Sequence, residues 1–523
     1  MKCLKLGLLV AMSFLLLEAC NEKAVNPNRN LSLDSFSSLD SSAFSLNSHR
    51  IREYIDVAMR NDADSMKADY EARRYYRNKG VFVWIDRLGV DHRAMQLLEQ
   101  LKTVSSMGFS EKKFCVKQIE DDLARVRELE FDSDENQINQ VFGRLEYRLT
   151  KAYFRFAVGQ RFGYVNPRRL LNALDVRDSD SIHVSYRQLF DVRQDEVDKS
   201  FYRLALRKVH QDSVAIFLKE ITPSSALYTL YLKQLNDAHN RFERAKILCN
   251  LERARWRTHD NPSMHQKYVM VNIPAFRLMG VDGKDTITMR VGCGSLETKT
   301  PLLSSQMERM DVNPRWVLPA SIIKKSVAHH AGDSAYFARK RFSVIDRHTR
   351  KKVSVHHVTA DMLTSGSYYV VQTGGVGNSL GRIIFRFKNN FAVYLHDTSQ
   401  RDFFNLHDRG VSHGCVRVEK PFDLAVFLLG DKDEKVIDKI KYSMLAPIGV
   451  ESEKTDDEDA EEPKKKEIDK RMLIHSVSVN PKVPLFITYY TLYPSRWGVL
   501  EEYPDVYGYD RVIYGMLKNY GVQ

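Results

Sequence analysis

Near the end of the chain, the run Ser412-His413-Gly414-Cys415-Val416-Arg417 carries the side chains with the clearest capacity for chemistry, and His396 stands nineteen residues before the thiol. A free cysteine has a pKa near 8.5, so only about 3% is thiolate at pH 7. An imidazole in contact changes this by holding the charge as an ion pair, the general way a cysteine nucleophile is made. Gly414 lets the backbone turn tightly, so that consecutive amide N–H groups can point at one spot. Such donors are what the oxyanion of a tetrahedral intermediate needs. Taken singly these residues say little, because a cysteine beside a histidine is more often a buried small hydrophobe.

These residues need elements to position them. Ile383-Ile384-Phe385-Arg386-Phe387 and Ala392-Val393-Tyr394-Leu395-His396 read as strands separated by the turn-like Lys388-Asn389-Asn390, so His396 ends a predicted strand. Strand side chains repeat every two residues, which places Tyr394 on the same face as His396, either as a donor to substrate or as a packed tyrosine. Pro421 opens a predicted helix through Leu429 that Gly430 stops. Strand character also lies in Tyr268 to Pro274, Thr286 to Val291 and Pro484 to Tyr490. From about 50 to 250 the pattern is helical, with Ala94, Leu97, Leu98 and Leu101 at helical spacing, and Leu145, Leu149 and Tyr153 likewise. Phe82-Val83-Trp84 reads as an aromatic insertion between helices.

The pattern His396-x15-Ser412-His413-Gly414-Cys415-x-Arg417, with Tyr394 before it and a helix after it, resembles the L,D-transpeptidase family of peptidoglycan enzymes. It is most similar to the large Gram-negative branch with a helical scaffold ahead of the catalytic domain. Gly377-Asn378-Ser379-Leu380-Gly381-Arg382 and Tyr394-Leu395-His396-Asp397-Thr398 support the resemblance, which is close over about 372 to 430. Weaker echoes are Val271 to Pro274, Pro484 to Tyr490, and Tyr75-Tyr76-Arg77 with Trp84.

The resemblance implies an α+β chain: a helical scaffold domain followed by a mixed, mainly β catalytic domain with a lid insertion. It implies Cys415 as nucleophile and His396 as base, with His413 shaping the loop and standing as fallback base. The backbone N–H groups of Gly414 and Cys415 become the expected oxyanion donors. Tyr394, Arg417, Asn378 and Ser412 become the expected substrate-binding residues, with Arg417 either holding a substrate carboxylate or bracing the loop. The implied reaction is acyl transfer between peptidoglycan stem peptides that forms 3→3 cross-links, with no metal or cofactor required and with carbapenems acylating the same cysteine. Water as acceptor would make it an L,D-carboxypeptidase, and loss of turnover a wall-binding lipoprotein.

The N-terminus bears on location. Lys2 and Lys5 precede the mostly apolar run Leu6 to Leu17, too short to span a bilayer but suited to a signal peptide. Leu17-Glu18-Ala19-Cys20 resembles a bacterial lipobox, although Glu18 is unusual there. A signal peptide over 1–19 and a lipidated tether over 20–48 follow, anchoring the chain at Cys20 to a membrane of the cell envelope. Cys115, Cys249 and Cys293 have no close pairs and read as buried small hydrophobes.

The expected division is a scaffold over 49–257 and a catalytic domain over 258–523, with a lid insertion at about 300–375 and a charged insertion at about 449–480. No separate wall-binding module stands between scaffold and first catalytic strand, a departure from the branch that leaves docking to scaffold and lid. The net charge of +12 suits an anionic partner without choosing one. Nucleic acid is disfavoured because the basic residues are spread along the chain. Gly375-x-Gly377-x-x-x-Gly381 has the wrong spacing for a dinucleotide fingerprint and precedes a strand. His329-His330 and His356-His357 are adjacent pairs, which face opposite ways on a strand and read as solvated.

Overall fold

The structure is a computed structural model that describes residues 44–86, 89–90, 92–131, 134–179, 184–430, 434–449, 468–495 and 497–522. The expected signal peptide, Cys20 and its tether as far as residue 43, and 450–467 of the charged insertion lie outside the described residues. The chain divides into two compact units: one comprises residues up to 166, 195–257 and 511 onward, the other 167–194 and 258–510. The chain therefore crosses between units several times, and a single cut at 257/258 captures one of those crossings.

The first unit is helical around α1 (Ile138–Phe162), whose Leu145, Leu149, Tyr153 and Phe156 are fully buried. Buried charge needs a partner, and Lys151 and Arg155 on this helix meet Asp62, Asp64 and Asp69. The Val83-Trp84 insertion is held by α1 itself. Glu146 accepts the Val83 N–H at 2.5 Å and the Trp84 N–H at 3.0 Å, and the indole N–H donates to Thr150 at 3.0 Å. Residues 511 onward belong here because Tyr520 enters an aromatic cluster, 4.8 Å from the Tyr164 ring and 6.0 Å from Phe109.

The second unit is mainly β. The strands that build the main sheet and the lid include β1 (Lys267–Asn272), β2 (Arg277–Asp282), β3 (Asp285–Gly294), β4 (Leu302–Val312), β5 (Trp316–Val317), β6 (Phe342–Asp346), β7 (Lys352–Val353), β8 (Tyr368–Gln372), β9 (Ile383–Phe387), β10 (Leu395–His396), β11 (Gly410–Ser412), β12 (Val416–Val418) and β13 (Ser476–Thr488), and the short strand Phe190–Asp191 adds to the edge at β4. The main sheet runs β9-β10-β12-β3-β2-β1-β13-β4, and β4 also pairs with β9, so the circuit closes like a barrel. Helix α2 (Pro421–Leu429) has proline in its first turn and ends at Gly430, where φ is 62°. It buries Leu424, Ala425, Leu428 and Leu429. Phe427 lies over Gly280 of β2, where a Cβ would meet its ring at 2.9 Å.

Two expected insertions are smaller than the sequence suggests. Residues 302–312, expected in the lid, form β4, paired over eight positions with β13. The lid therefore begins after Val312. It is an ordered subdomain whose small sheet runs β5-β8-β6-β7. Its own core contains Leu318, Ile323, Val327, Tyr336, Phe337, Val344, Val358, Leu363 and Val370. Residues 476–480, expected in the charged insertion, are the first part of β13, where a register shift between Ser478 and Val483 absorbs the Asn480-Pro481 interruption.

Candidate active site

Parallel pairing of β10 with β12 joins the two halves of the sequence motif, with Leu395 opposite Val416 and His396 opposite Arg417. One step before this register the Val416 N–H donates to the Tyr394 carbonyl at 2.9 Å. The loop that bears Cys415 is thus fixed beside the segment that ends in His396. The expected strand over 392–396 shrinks to its last two residues. Ala392 has φ of 53°, and the Asn389 side chain accepts the N–H groups of Phe391 and Val393 at 3.0 and 3.2 Å. Strand alternation therefore does not reach Tyr394. That residue is half-buried, with the Arg386 guanidinium 5.3 Å from its ring centroid.

His396 is buried, and its Nδ1 meets the main-chain carbonyl of Asp397 at 2.5 Å. A carbonyl can only accept, so Nδ1 carries the hydrogen and Nε2 keeps the lone pair. Burial pushes the imidazole down to about 4, against a smaller upward pull from the Asp397 and Leu380 carbonyls. Cys415 is pushed above the ordinary thiol range by burial, opposed by the Tyr394 backbone and by the Arg417 charge. Both shifts act in favour of the uncharged thiol and the neutral imidazole.

The turn before the nucleophile is braced from inside. Gly414 has φ of +115°, while a Cβ there would meet nothing closer than 3.6 Å, so glycine is required by conformation and not by space. Ser412 is buried. Its hydroxyl donates to the Cys415 carbonyl at 2.5 Å and accepts the Gly414 N–H at 3.1 Å. Thr300 then holds the Gly414 carbonyl at 2.9 Å. Of the two expected oxyanion donors, the Gly414 N–H is therefore engaged by Ser412, and the Cys415 N–H has no such internal bond among the described residues.

The other expected residues separate by environment. His413 is exposed, and its imidazole is lowered by partial burial and by the charges of Lys325 and Arg417. Arg417 donates to Gln400 at 3.2 Å and stands 5.4 Å from the Phe403 ring, while its buried Nε has no hydrogen-bond partner among the described residues. Asn378 is fully buried. Its amide donates to the Pro314 and Thr373 carbonyls at 3.2 and 2.7 Å, and its oxygen accepts the Leu380 N–H at 2.8 Å. Asn378 and Ser412 are thus internal braces, not surfaces offered to a ligand, because each polar group is already matched within the fold. Among the described residues no group of three His, Cys, Asp or Glu side chains could hold a metal ion.

Two contributors were not singled out from the sequence. Thr300 lies 114 residues from Gly414, and no local pattern marks the pair. Asp397 directly follows His396 in the sequence. Its buried carboxylate accepts the Arg382 N–H at 2.8 Å and the Arg401 guanidinium at 3.2 Å. A charged residue directly after the end of a strand was the available signal.

A half-buried cysteine on a glycine turn thus stands next to the segment that ends in a buried histidine, within a closed β domain. Residues 266–437 match the family model of the L,D-transpeptidase catalytic domain, and residues 70–235 match a family described as a scaffold domain. The chain is 27% identical over 310 residues to a Haemophilus influenzae protein provisionally named an L,D-transpeptidase, an alignment covering 59% of this chain and 58% of that relative. Residues 266–437 are thus similar to an L,D-transpeptidase catalytic domain, and residues 70–235 to a scaffold domain.

Proposed function

We propose that this protein is a peptidoglycan L,D-transpeptidase that forms 3→3 cross-links through a thioester on Cys415. The observation carrying this reading is the β10–β12 register, which sets the Cys415 turn beside a histidine whose Nδ1 is committed to a carbonyl, so that Nε2 is the basic nitrogen of the neutral ring. His396 Nε2 accepts the thiol proton as Sγ attacks the carbonyl carbon of the third residue of a tetrapeptide stem. The Cys415 N–H faces the oxyanion. Collapse breaks the bond to the terminal D-alanine, whose amine leaves with the proton from His396. The side-chain amine of a second stem then attacks the thioester, gives its extra proton to His396, and Cys415 is released as the thiol.

Arg417 is the residue proposed to meet a substrate carboxylate, and Tyr394 to line the same site. The chain is proposed to act in the cell envelope, exported and held to a membrane by a lipid on Cys20, with the same thiol open to carbapenem acylation.

Incubation of wild type and Cys415→Ser with disaccharide-tetrapeptide, read by mass spectrometry, tests the proposal. Wild type is expected to release D-alanine and form a 3→3 dimer, and the variant to do neither. A tripeptide product alone would make the enzyme a carboxypeptidase. No D-alanine from wild type would overturn the enzyme reading.

A further inference from the structure

The positive charge of this chain is not evenly placed on the fold. Residues 313–375, the lid, contain ten Lys and Arg against three Asp and no Glu, a surplus of seven out of the whole chain's twelve. Nine of those ten cations are exposed, with Arg341 half-buried. Among the described residues none of the ten forms an ion pair.

The density is greatest where β6 turns into β7. Arg347, Arg350, Lys351 and Lys352 fall within six residues, all exposed. The turn that carries them is built to hold its shape. The Asp346 carboxylate accepts the N–H groups of His348 and Thr349, both at 2.8 Å. The main chain adds Arg350 N–H to the Asp346 carbonyl and Asp346 N–H to the Lys351 carbonyl, both at 3.0 Å. Arg347 is further seated 4.2 Å from the Tyr369 ring centroid. The one carboxylate in the turn is thereby occupied with backbone donors, and four like charges remain crowded on a fixed hairpin. Such crowding is unfavourable by itself and becomes favourable against a dense anionic surface.

We propose that the β6–β7 hairpin of the lid is a docking surface for anionic phospholipid headgroups. Arginine and lysine both suit phosphate, and a sheet of headgroups needs no directional match beyond charge. Between the basic residues the tip carries His348 and Thr349, and residues 346–353 contain no Trp, Tyr or Phe, the broad rings on which a sugar would stack. Each basic residue near an anionic bilayer strengthens binding by about fivefold, so four act together strongly. The inference does not depend on the acyl-transfer reading.

The test uses the chain from residue 21 onward, which keeps every described element, sedimented with phosphatidylcholine vesicles that either lack or contain about 30% phosphatidylglycerol. The chain is expected to bind only the anionic vesicles and to be released at about 1 M salt, where the screening length falls to about 3 Å. Replacing Arg347, Arg350, Lys351 and Lys352 by Gln is expected to weaken that binding at least about tenfold. Replacing the exposed Lys112, Lys199, Arg203 and Arg207 by Gln removes the same charge elsewhere and is expected to change it less than about threefold. Equal losses in the two variants would reduce the effect to net charge and overturn the proposal. Absence of binding to anionic vesicles would overturn it too. Hairpin-dependent binding to purified peptidoglycan sacculi without vesicle binding would replace the membrane by the wall polymer.

Discussion

The carboxylate of Asp397 occupies the space that a side chain on Gly381 would need. A Cβ at Gly381 would lie 2.4 Å from Asp397 Cγ and 2.5 Å from Oδ2. The same carboxylate accepts the Arg382 N–H, and the Asp397 main-chain carbonyl holds His396 Nδ1. One residue thus ties the turn at 380–382 to the segment carrying His396, the proposed base, and the missing side chain of Gly381 makes the fit possible.

Disturbing either side of this contact should misplace the imidazole. Asp397→Ala and Gly381→Ala are each expected to slow carbapenem acylation of Cys415 by about 10- to 100-fold, the scale of an ångström error in a reacting group. Asp397→Asn keeps an oxygen for the Arg382 N–H and is expected to lose less. Acylation rates, followed by intact-protein mass spectrometry beside a thermal unfolding curve, check this. Wild-type rates in both alanine variants would dissociate the carboxylate from the placement of His396.

The directions of the two active-site shifts fix a pH profile. His396 is pushed down to about 4, so it is neutral and able to accept a proton throughout the neutral range. Cys415 is pushed above its ordinary value, so its thiolate fraction is small there and grows as pH rises. Alkylation by iodoacetamide is expected to speed up nearly tenfold per unit between about pH 6 and 8, without an early plateau. A plateau below pH 7 would instead reveal a preformed thiolate–imidazolium pair.

Legibility in the sequence followed the range of the interactions. Helix α2 was readable because Pro421 and Gly430 mark its two ends locally, and β9 because five consecutive residues share one character. Strand β4 is not legible locally, because Ser304-Ser305-Gln306 and Glu308-Arg309 hide the apolar positions that its partners β13 and β9 bury. Strand β13 looked short because Asn480-Pro481 reads as a break, whereas the bulge there is compensated across the ladder. The motif that contains Cys415 and His396 was visible locally. The bracing of that motif by Thr300 was not, since a contact across 114 residues leaves no local trace.

Ser412 is expected to matter more for turnover than its distance from the chemistry suggests. Ser412→Ala leaves the Gly414 N–H and the Cys415 carbonyl without the hydroxyl that now matches both. An unmatched buried polar group costs about 1–3 kcal/mol. The variant is expected to fold with a lowered melting temperature of the catalytic unit and to acylate about 10- to 100-fold more slowly, because the proposed oxyanion donor on the turn loses its fixed position. Gly414→Ala should reach a similar rate through backbone strain at φ +115°, on the order of 1–3 kcal/mol, without any clash. A normal rate in both variants would show that the turn does not control the donor.

The helical unit carries a separate pH dependence at Glu146. This carboxyl is fully buried, receives the Val83 and Trp84 N–H groups and the Tyr76 hydroxyl, and has no cationic partner in those contacts. Burial outweighs the hydrogen bonds and pushes it up to about 7. Its folded value is thus raised above the unfolded value near 4.5, so the native state binds the proton more tightly. The associated stability is fully present below about pH 4.5 and is lost progressively as pH rises to about 7, a change on the order of 3 kcal/mol. Thermal unfolding of the helical unit is therefore expected to move to lower temperature from pH 5 to 7. Glu146→Gln removes the titration and should flatten that slope, while lowering stability at pH 5 because an amide N–H₂ now faces a backbone N–H. An unchanged slope in the variant would assign the pH dependence to another group.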